Sequence, residues 1–212
     1  MALNDRIVRN EKMLEKDGYT RKNEETYINL LRQAKREGVD KLISWLLSTD
    51  FFEAPSSSRP KYHGCEKGGL AKHSLNVYTL FEEKSRRFQM GLKLDEIIIA
   101  SLCHDFCKID FYKPNPNPDS TEREKKPYIV EAKPPFGHGE KSLYLTTKHI
   151  GLNEKESLLI RWHMSAYDKE WLSNEEKVLA LCPEITAFQT ADQEASDYLD
   201  LNAKGNDTKV KK

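Results

Sequence analysis

The stretch from Leu102 to Lys108 reads LCHDFCK and places a histidine, an aspartate and a lysine at the end of an apolar segment. The apolar residues before it repeat at helical spacing, which predicts one helix from Leu94 to Lys108. His104 lies seven residues, or about two turns, after Ile97 and is therefore expected on the core side of this helix. The adjacent His104 and Asp105 can bind one ion or two neighbouring ions. Lys108, one turn later, can meet a substrate phosphate or carboxylate.

The chain on either side of this stretch is also helical in pattern. Apolar spacing predicts further helices over residues 23–34, 39–47, 70–90, 139–150, 153–164, 175–181 and 184–201. The pattern breaks between Asp110 and Gly137, a segment that holds six of the nine prolines and, in Tyr128–Val130, its only β-prone run. The expected fold class is therefore all-α, a helical bundle with a long loop or small hairpin inserted after the LCHDFCK helix.

The length of 212 residues suits one domain with short appendages. We expect residues 1–50 to form a helical extension packed on the core, and the same segment could serve as a dimer element. Residues 51–201 would form the main domain, and the polar residues 202–212 would be a disordered tail. The sequence leaves the oligomeric state open.

Composition excludes several classes of protein. The 34 basic and 34 acidic residues cancel, which argues against a protein that coats nucleic acid along an extended basic surface. No segment approaches the apolar length of a membrane-spanning helix, and the N-terminus lacks the apolar region of a secretory signal. Four scattered cysteines do not make a disulfide framework, so we expect a cytoplasmic protein without membrane partners.

Several polar side chains lie on apolar helix faces. His73 follows Leu70 by three positions, His163 follows Leu159 and Ile160 by four and three, and His104 follows Ile97 by seven. Asp192 follows Phe188 by four. A single inward histidine is usually a core residue with a satisfied hydrogen bond, whereas an inward aspartate is costly without a partner. Several such residues in one core favour a shared metal ion, and the donor set suits Mn, Fe, Co, Ni or Zn. Spacing alone does not show that they converge.

The order of His73, the His104-Asp105 pair and Asp192 resembles the HD superfamily of metal-dependent phosphohydrolases. LCHDFCK matches the central family motif, and TADQEAS resembles the segment of the last ligand. KYHGCEKGGLAKHSLNVY is similar to the first-histidine segment of bacterial 3′→5′ exoribonucleases of this superfamily, and the likeness extends over about residues 60–200. The resemblance implies an HD-domain helical bundle. It also implies six ligands for one or two divalent ions: His73, His104, Asp105, His138, His163 and Asp192.

The same resemblance implies an activity. Asp105 would bridge two ions, and a bridging hydroxide would attack a phosphomonoester or phosphodiester, of a nucleotide or short oligonucleotide. Two alternatives remain open, namely a mixed-valent di-iron oxygenase with the same six ligands and a non-catalytic nucleotide-binding module. Iron content with oxygen uptake would favour the oxygenase, and missing ligands would have favoured the binding module.

Three further residues are candidates for substrate contact. Lys108 and His63 would offset charge on the phosphate, and His63 could instead act as a general acid or be an ordinary loop histidine. Lys141 could touch the substrate, although most lysines are solvated surface charges. Asp105, Lys108 and His63 are thus the predicted catalytic residues, and Lys108, His63 and Lys141 the predicted substrate contacts.

Overall fold

The computed structural model describes residues 21–130 and 136–200 of the chain. Residues 21–33 are helical and form α1. The helices that follow are α2 Val39–Leu47, α3 Gly69–Arg87, α4 Leu94–Cys103, α5 Ser120–Lys125, α6 His138–Thr147, α7 Glu154–Trp162, α8 Trp171–Leu181 and α9 Ile185–Glu194. Short 3₁₀ turns follow α4 and α7, at Phe106–Lys108 and Ser165–Tyr167, and a π-helical turn, Ala195–Leu199, extends α9. The predicted all-α fold class is confirmed.

The helix predicted from Leu94 to Lys108 is wrong at its C-terminal end. Helix α4 stops at Cys103, and Asp105 leaves helical geometry with φ −106° and ψ 18°. Beyond it, the Cys107 amide donates to the Ser142 hydroxyl at 3.0 Å, so a side chain of α6 takes the place of a helical carbonyl. This tertiary contact diverts the chain at the position where the sequence pattern alone continues.

Two apolar clusters hold the bundle together. The first joins α1 and α2 to the beginning of α3 and to α4, with Tyr27 and Leu42 among its buried members. The second joins the rest of α3 to α7, α8 and α9, with Phe81 and Phe188 in contact at 4.8 Å between ring centroids. Helix α3 packs against α4 and α9, and α7 packs against α4 and α6. These helices form the part of the bundle that carries the candidate ligands.

The proline-rich insertion forms a small hairpin. Strand β1, Tyr112–Pro114, pairs antiparallel with β2, Tyr128–Val130, in a register that sets Tyr112 opposite Val130. The β-prone run found in the sequence is therefore a strand. The short helix α5 between the strands was not predicted; it begins where the Asp119 carboxylate accepts from the amides of the first turn.

The predicted tail, residues 202–212, lies outside the described residues, as do residues 1–20 of the predicted extension. Within the described part, α1 and α2 bury their apolar faces in the first cluster. The boundaries at residues 51 and 201 stay a prediction. Among residues 21–130 and 136–200, no helix combines the length and apolar character needed to cross a bilayer.

Candidate metal centre

The structure brings the six predicted ligand residues close together. They lie on or at the ends of helices α3, α4, α6, α7 and α9. They form two groups, within each of which the ligand atoms lie within 4.8 Å of one another. The first group is His73 in α3, His104 at the C-terminal cap of α4 and Asp192 in α9; the second group is Asp105, His138 at the start of α6 and His163 at the C-terminal cap of α7.

Asp105 belongs to the second group but also lies close to the first. Its Oδ2 atom is 3.6 Å from His73 Nε2 and 3.5 Å from His104 Nε2. Its Oδ1 atom is 3.0 Å from His138 Nε2 and 3.8 Å from His163 Nε2. One carboxylate therefore presents a different oxygen to each group, which is the arrangement that bridging two ions requires.

Hydrogen bonds fix the orientation of two of the candidate ligand histidines, His104 and His163. The Nδ1 atoms of His104 and His163 lie 2.8 Å from the carbonyl oxygens of Ser101 and Ile160, each three residues earlier in the chain. Because Nδ1 must donate to a carbonyl, the neutral ring carries its proton there and leaves the lone pair on Nε2. The Nε2 atoms of His104 and His163 are buried without a hydrogen-bonding partner. Buried, unpartnered nitrogens that point toward carboxylates fit divalent transition-metal ions.

The first group favours positive charge. Asp192 Oδ1 lies 3.0 Å from His73 Nε2, and Asp200 Oδ2 lies 2.7 Å from His73 Nδ1. Burial opposes charge on His73, but these two carboxylates outweigh it and raise the pKa of His73 to about 10. Burial would also raise the pKa of Asp192, yet His73 and His104 hold it well below its usual range. The carboxylates stabilise a cation here, whether an imidazolium or a metal ion.

The second group combines a charged carboxylate with one neutral and one readily protonated histidine. Burial opposes charge on Asp105, but Lys108 and His104 hold the pKa of its carboxyl well below its usual range. Burial lowers the pKa of His163 to about 3, with His104 adding to the effect, so this ring is neutral at physiological pH. Around His138, burial is outweighed by Cys107 and Asp105, which raise the pKa of His138 to about 10.

Lys108 and His63 lie in a cavity of about 470 Å³ at the candidate centre, which also borders Asp105, His138, His163 and Asp192. Lys108 Nζ is 2.6 Å from Asp105 Oδ2 and donates to the Ser56 hydroxyl at 3.3 Å. Burial, and then the nearby His73 and Lys108, lower the pKa of His63 to about 3. A neutral imidazole is a poor proton donor, so the contact with phosphate suits His63 better than the role of general acid.

The side chain of Lys141 does not lie where the predicted substrate contact would require. Its ammonium donates to the Cys107 carbonyl and lies 5.5 Å from the centroid of the Phe111 ring. It supports the turn after the His104-Asp105 pair and does not border the cavity. His149, the remaining histidine, stacks on Trp45 at 4.5 Å and lies outside both groups.

Two glycines shape the loop that carries His63. Gly64 has φ 58°, and a Cβ on Gly69 would meet the Gly64 carbonyl oxygen at 2.1 Å. The loop therefore lies directly against the start of α3, four residues before His73. This close approach brings the rings of His63 and His73 to 4.9 Å between centroids.

Sequence reasoning missed Asp200 and the outer wall of the cavity. Asp200 is fully buried, accepts from Asn76 Nδ2 at 2.7 Å and contacts His73 Nδ1. The sequence feature that could have indicated Asp200 is its position between two apolar residues, Leu199 and Leu201. The wall includes Tyr62 and Gln193, whose residue types carry no signal of their own.

Residues 70–196, more than half of the chain, match the family model of the HD domain. The match begins at the start of α3 and ends just after α9, so it contains all six candidate ligands. Searches of curated proteins and of solved structures gave no significant match.

Proposed function

The chain belongs to the HD domain family, and we propose that it is a metal-dependent phosphohydrolase that cleaves a phosphomonoester or phosphodiester of a nucleotide or short oligonucleotide. HD domains are in general hydrolases that bind divalent metals. The observation that carries the proposal is the position of Asp105, whose two oxygens face two separate groups of metal-binding side chains.

Each group would hold one ion. His73, His104 and Asp192 would bind the first, and His138 and His163 the second, with Asp105 shared between them. Two such ions, when bound, supply Lewis acidity toward phosphoryl oxygens and lower the pKa of the attacking water. The donor set of nitrogens and carboxylate oxygens suits Mn, Fe, Co, Ni or Zn.

The protein's own side chains would bind and orient the phosphate. Lys108 carries a positive charge at the cavity wall, because Asp105 outweighs the effect of burial and raises the pKa of the Lys108 ammonium. This charge would offset the negative charge that develops on the phosphoryl oxygens in the transition state. Neutral His63 would donate one N–H to the same group, since its Nε2 is buried and unpartnered.

A screen of metal ions against phosphate esters tests the proposal. Metal-free protein would be reconstituted with Mn²⁺, Fe²⁺, Co²⁺, Ni²⁺ or Zn²⁺ and assayed on nucleotides, cyclic dinucleotides, short oligonucleotides and p-nitrophenyl esters. We expect cleavage that depends on the metal, with up to two equivalents bound by elemental analysis. Asp105→Asn should lower kcat/KM by about a hundredfold or more, because it removes the shared ligand. Asp119→Asn, in an exposed cap of α5, is the charge-matched control.

The same experiment separates the alternatives. No ester cleavage, together with iron binding and oxygen uptake, would favour the oxygenase. Nucleotide binding without turnover under any metal would favour a binding module. Unchanged hydrolysis by Asp105→Asn would mean that the activity arises elsewhere.

A further inference from the structure

A second cavity adjoins the one that holds the candidate metal centre. The first has a volume of about 470 Å³ and the second about 440 Å³. Both are bordered by His138, Met164 and Tyr167, so they meet at the second metal group. Each volume lies within the range of pockets that hold a small organic molecule. The centre thus has space for an organic group on two sides.

Exposed aromatic rings border both cavities. Tyr62 lies at the first cavity and Phe136 at the second, with 49% and 55% of their surfaces exposed. Tyr167, which borders both, is 74% exposed, far more than a packing role would require. The Phe136 ring stacks on Tyr144 at 5.7 Å, which holds it in place. Exposed rings at a binding cavity are suited to stacking on flat heterocycles such as nucleobases.

Charge on the cavity walls limits the number of phosphates. Among the described lining residues of the first cavity, Lys108 is the sole lysine or arginine, and it lies against Asp105. The second cavity has Lys169, but it also has Glu140, Asp168 and Glu170. These three carboxylates already pair with the single guanidinium of Arg161, which leaves an excess of negative charge. Apart from the ions proposed at the centre, the side chains of neither wall carry the excess positive charge that a second phosphate would need, whereas both cavities can accept neutral groups.

Building on the proposed function, we propose that the substrate is a phosphodiester with one phosphate between two uncharged, base-bearing groups, such as a dinucleoside monophosphate. The phosphate lies at the metal centre beside Lys108, one nucleoside occupies each cavity, and Tyr167 borders both. Water adds its oxygen to phosphorus, and the bond from phosphorus to one ester oxygen breaks. That oxygen keeps the electron pair and takes up a proton, so the products are a nucleoside monophosphate and a nucleoside.

Comparison of diester and monoester substrates tests this inference. The enzyme, loaded with its most active metal ion, would be assayed on a dinucleoside monophosphate and on the matching nucleoside 3′- and 5′-monophosphates. We expect kcat/KM for the diester to exceed that for either monoester by about tenfold or more, since the diester fills both cavities. Phe136→Ala should lower the diester value by about five- to tenfold, as expected for loss of one stacked base. The ratio of diester to monoester should fall with it.

Phe88→Ala is the matched control, because Phe88 is 62% exposed at the end of α3 and borders neither cavity. This variant should keep kcat/KM for the diester and for the monoesters within about twofold of wild type. A preference for monoesters would overturn the inference while leaving the proposed function intact. The inference would also be overturned, with the proposed function intact, if Phe136→Ala left kcat/KM for the diester unchanged or lowered kcat/KM for the diester and the monoesters equally. Absence of cleavage of every ester would overturn the proposed function and the inference together.

Discussion

Replacing Asp200 by asparagine should weaken metal binding at the first group of candidate ligands without disturbing binding at the second group. Asp200 receives two hydrogen-bond donors, His73 Nδ1 at 2.7 Å and Asn76 Nδ2 at 2.7 Å. A carboxylate accepts both, whereas an amide has one accepting oxygen and one donating nitrogen. If the oxygen of the new side chain stays on Asn76, its NH₂ group faces His73 Nδ1. The ring must then move its proton to Nε2, the atom that would bind the metal.

The magnitude follows from this change of tautomer. Loss of a partner that orients a ligand histidine typically costs about 10- to 100-fold in metal affinity. That range corresponds to about 1.4–2.7 kcal/mol of binding free energy. The loss should fall on the ion of the first group, because His138 and His163 do not contact Asp200. Calorimetric titration of metal-free protein with Mn²⁺ or Co²⁺ should resolve one weakened site and one unchanged site.

Two further measurements make the test decisive. Thermal unfolding of the metal-free variant separates a general loss of stability from a loss at the metal site. Asp119→Asn makes the same chemical change at an exposed helix cap and should bind both ions as wild type does. Equal affinities for both ions in Asp200→Asn and wild type would refute the idea that Asp200 orients His73.

Three other variants probe the fold and the cavity. The pKa of Asp95 is lowered because burial is outweighed by Arg36, so the pair stabilises the fold above about pH 4 and loses its effect as the pH falls through the lower folded-state pKa. Asp95→Asn should therefore cost about 0.5–1 kcal/mol at pH 7 in urea unfolding, and the difference from wild type should shrink as the pH falls below the folded-state pKa of Asp95. Gly139→Ala places a methyl group 1.9 Å from the Arg161 carbonyl oxygen between α6 and α7, and should lower stability by about 1–3 kcal/mol in the same assay. Lys108→Gln should lower kcat/KM by about tenfold or more while metal stoichiometry stays unchanged, because it removes the charge beside the phosphate.

Helical periodicity predicted the parts of the fold in which local and tertiary preferences agree. The bounds predicted for α2, Val39–Leu47, are those observed, because a clear apolar stripe follows the left-handed Gly38. The run Tyr128–Val130 is a strand as its β-branched and aromatic residues suggested. The end of α4 could not be predicted in this way, since it depends on the Ser142 hydroxyl, 35 residues away.

The residues of the candidate site also fall into those that local spacing could predict and those that it could not. His73, His163 and Asp192 stood out as polar residues on apolar stripes, and those stripes do face the core. His138 was found through the family resemblance alone, because it begins its helix and has no stripe before it. Asp200 was missed since its partner His73 lies 127 residues earlier in the chain. Local spacing therefore indicates which side chains point inward, and tertiary contacts decide which of them meet.

The break after α4 explains how adjacent residues can share one centre. In a continuous helix, neighbouring side chains diverge by about 100° around the axis. Because the chain leaves helical geometry at Asp105, its Oδ2 atom instead comes within 3.5 Å of His104 Nε2, and Oδ1 turns toward α6 and α7. The helix ends add to the effect, since His104 and His163 both lie at C-terminal caps, where carbonyl dipoles favour a cation. The departure from the predicted helix thus places Asp105 where a chain of zero net charge would form the proposed local site for two positive ions.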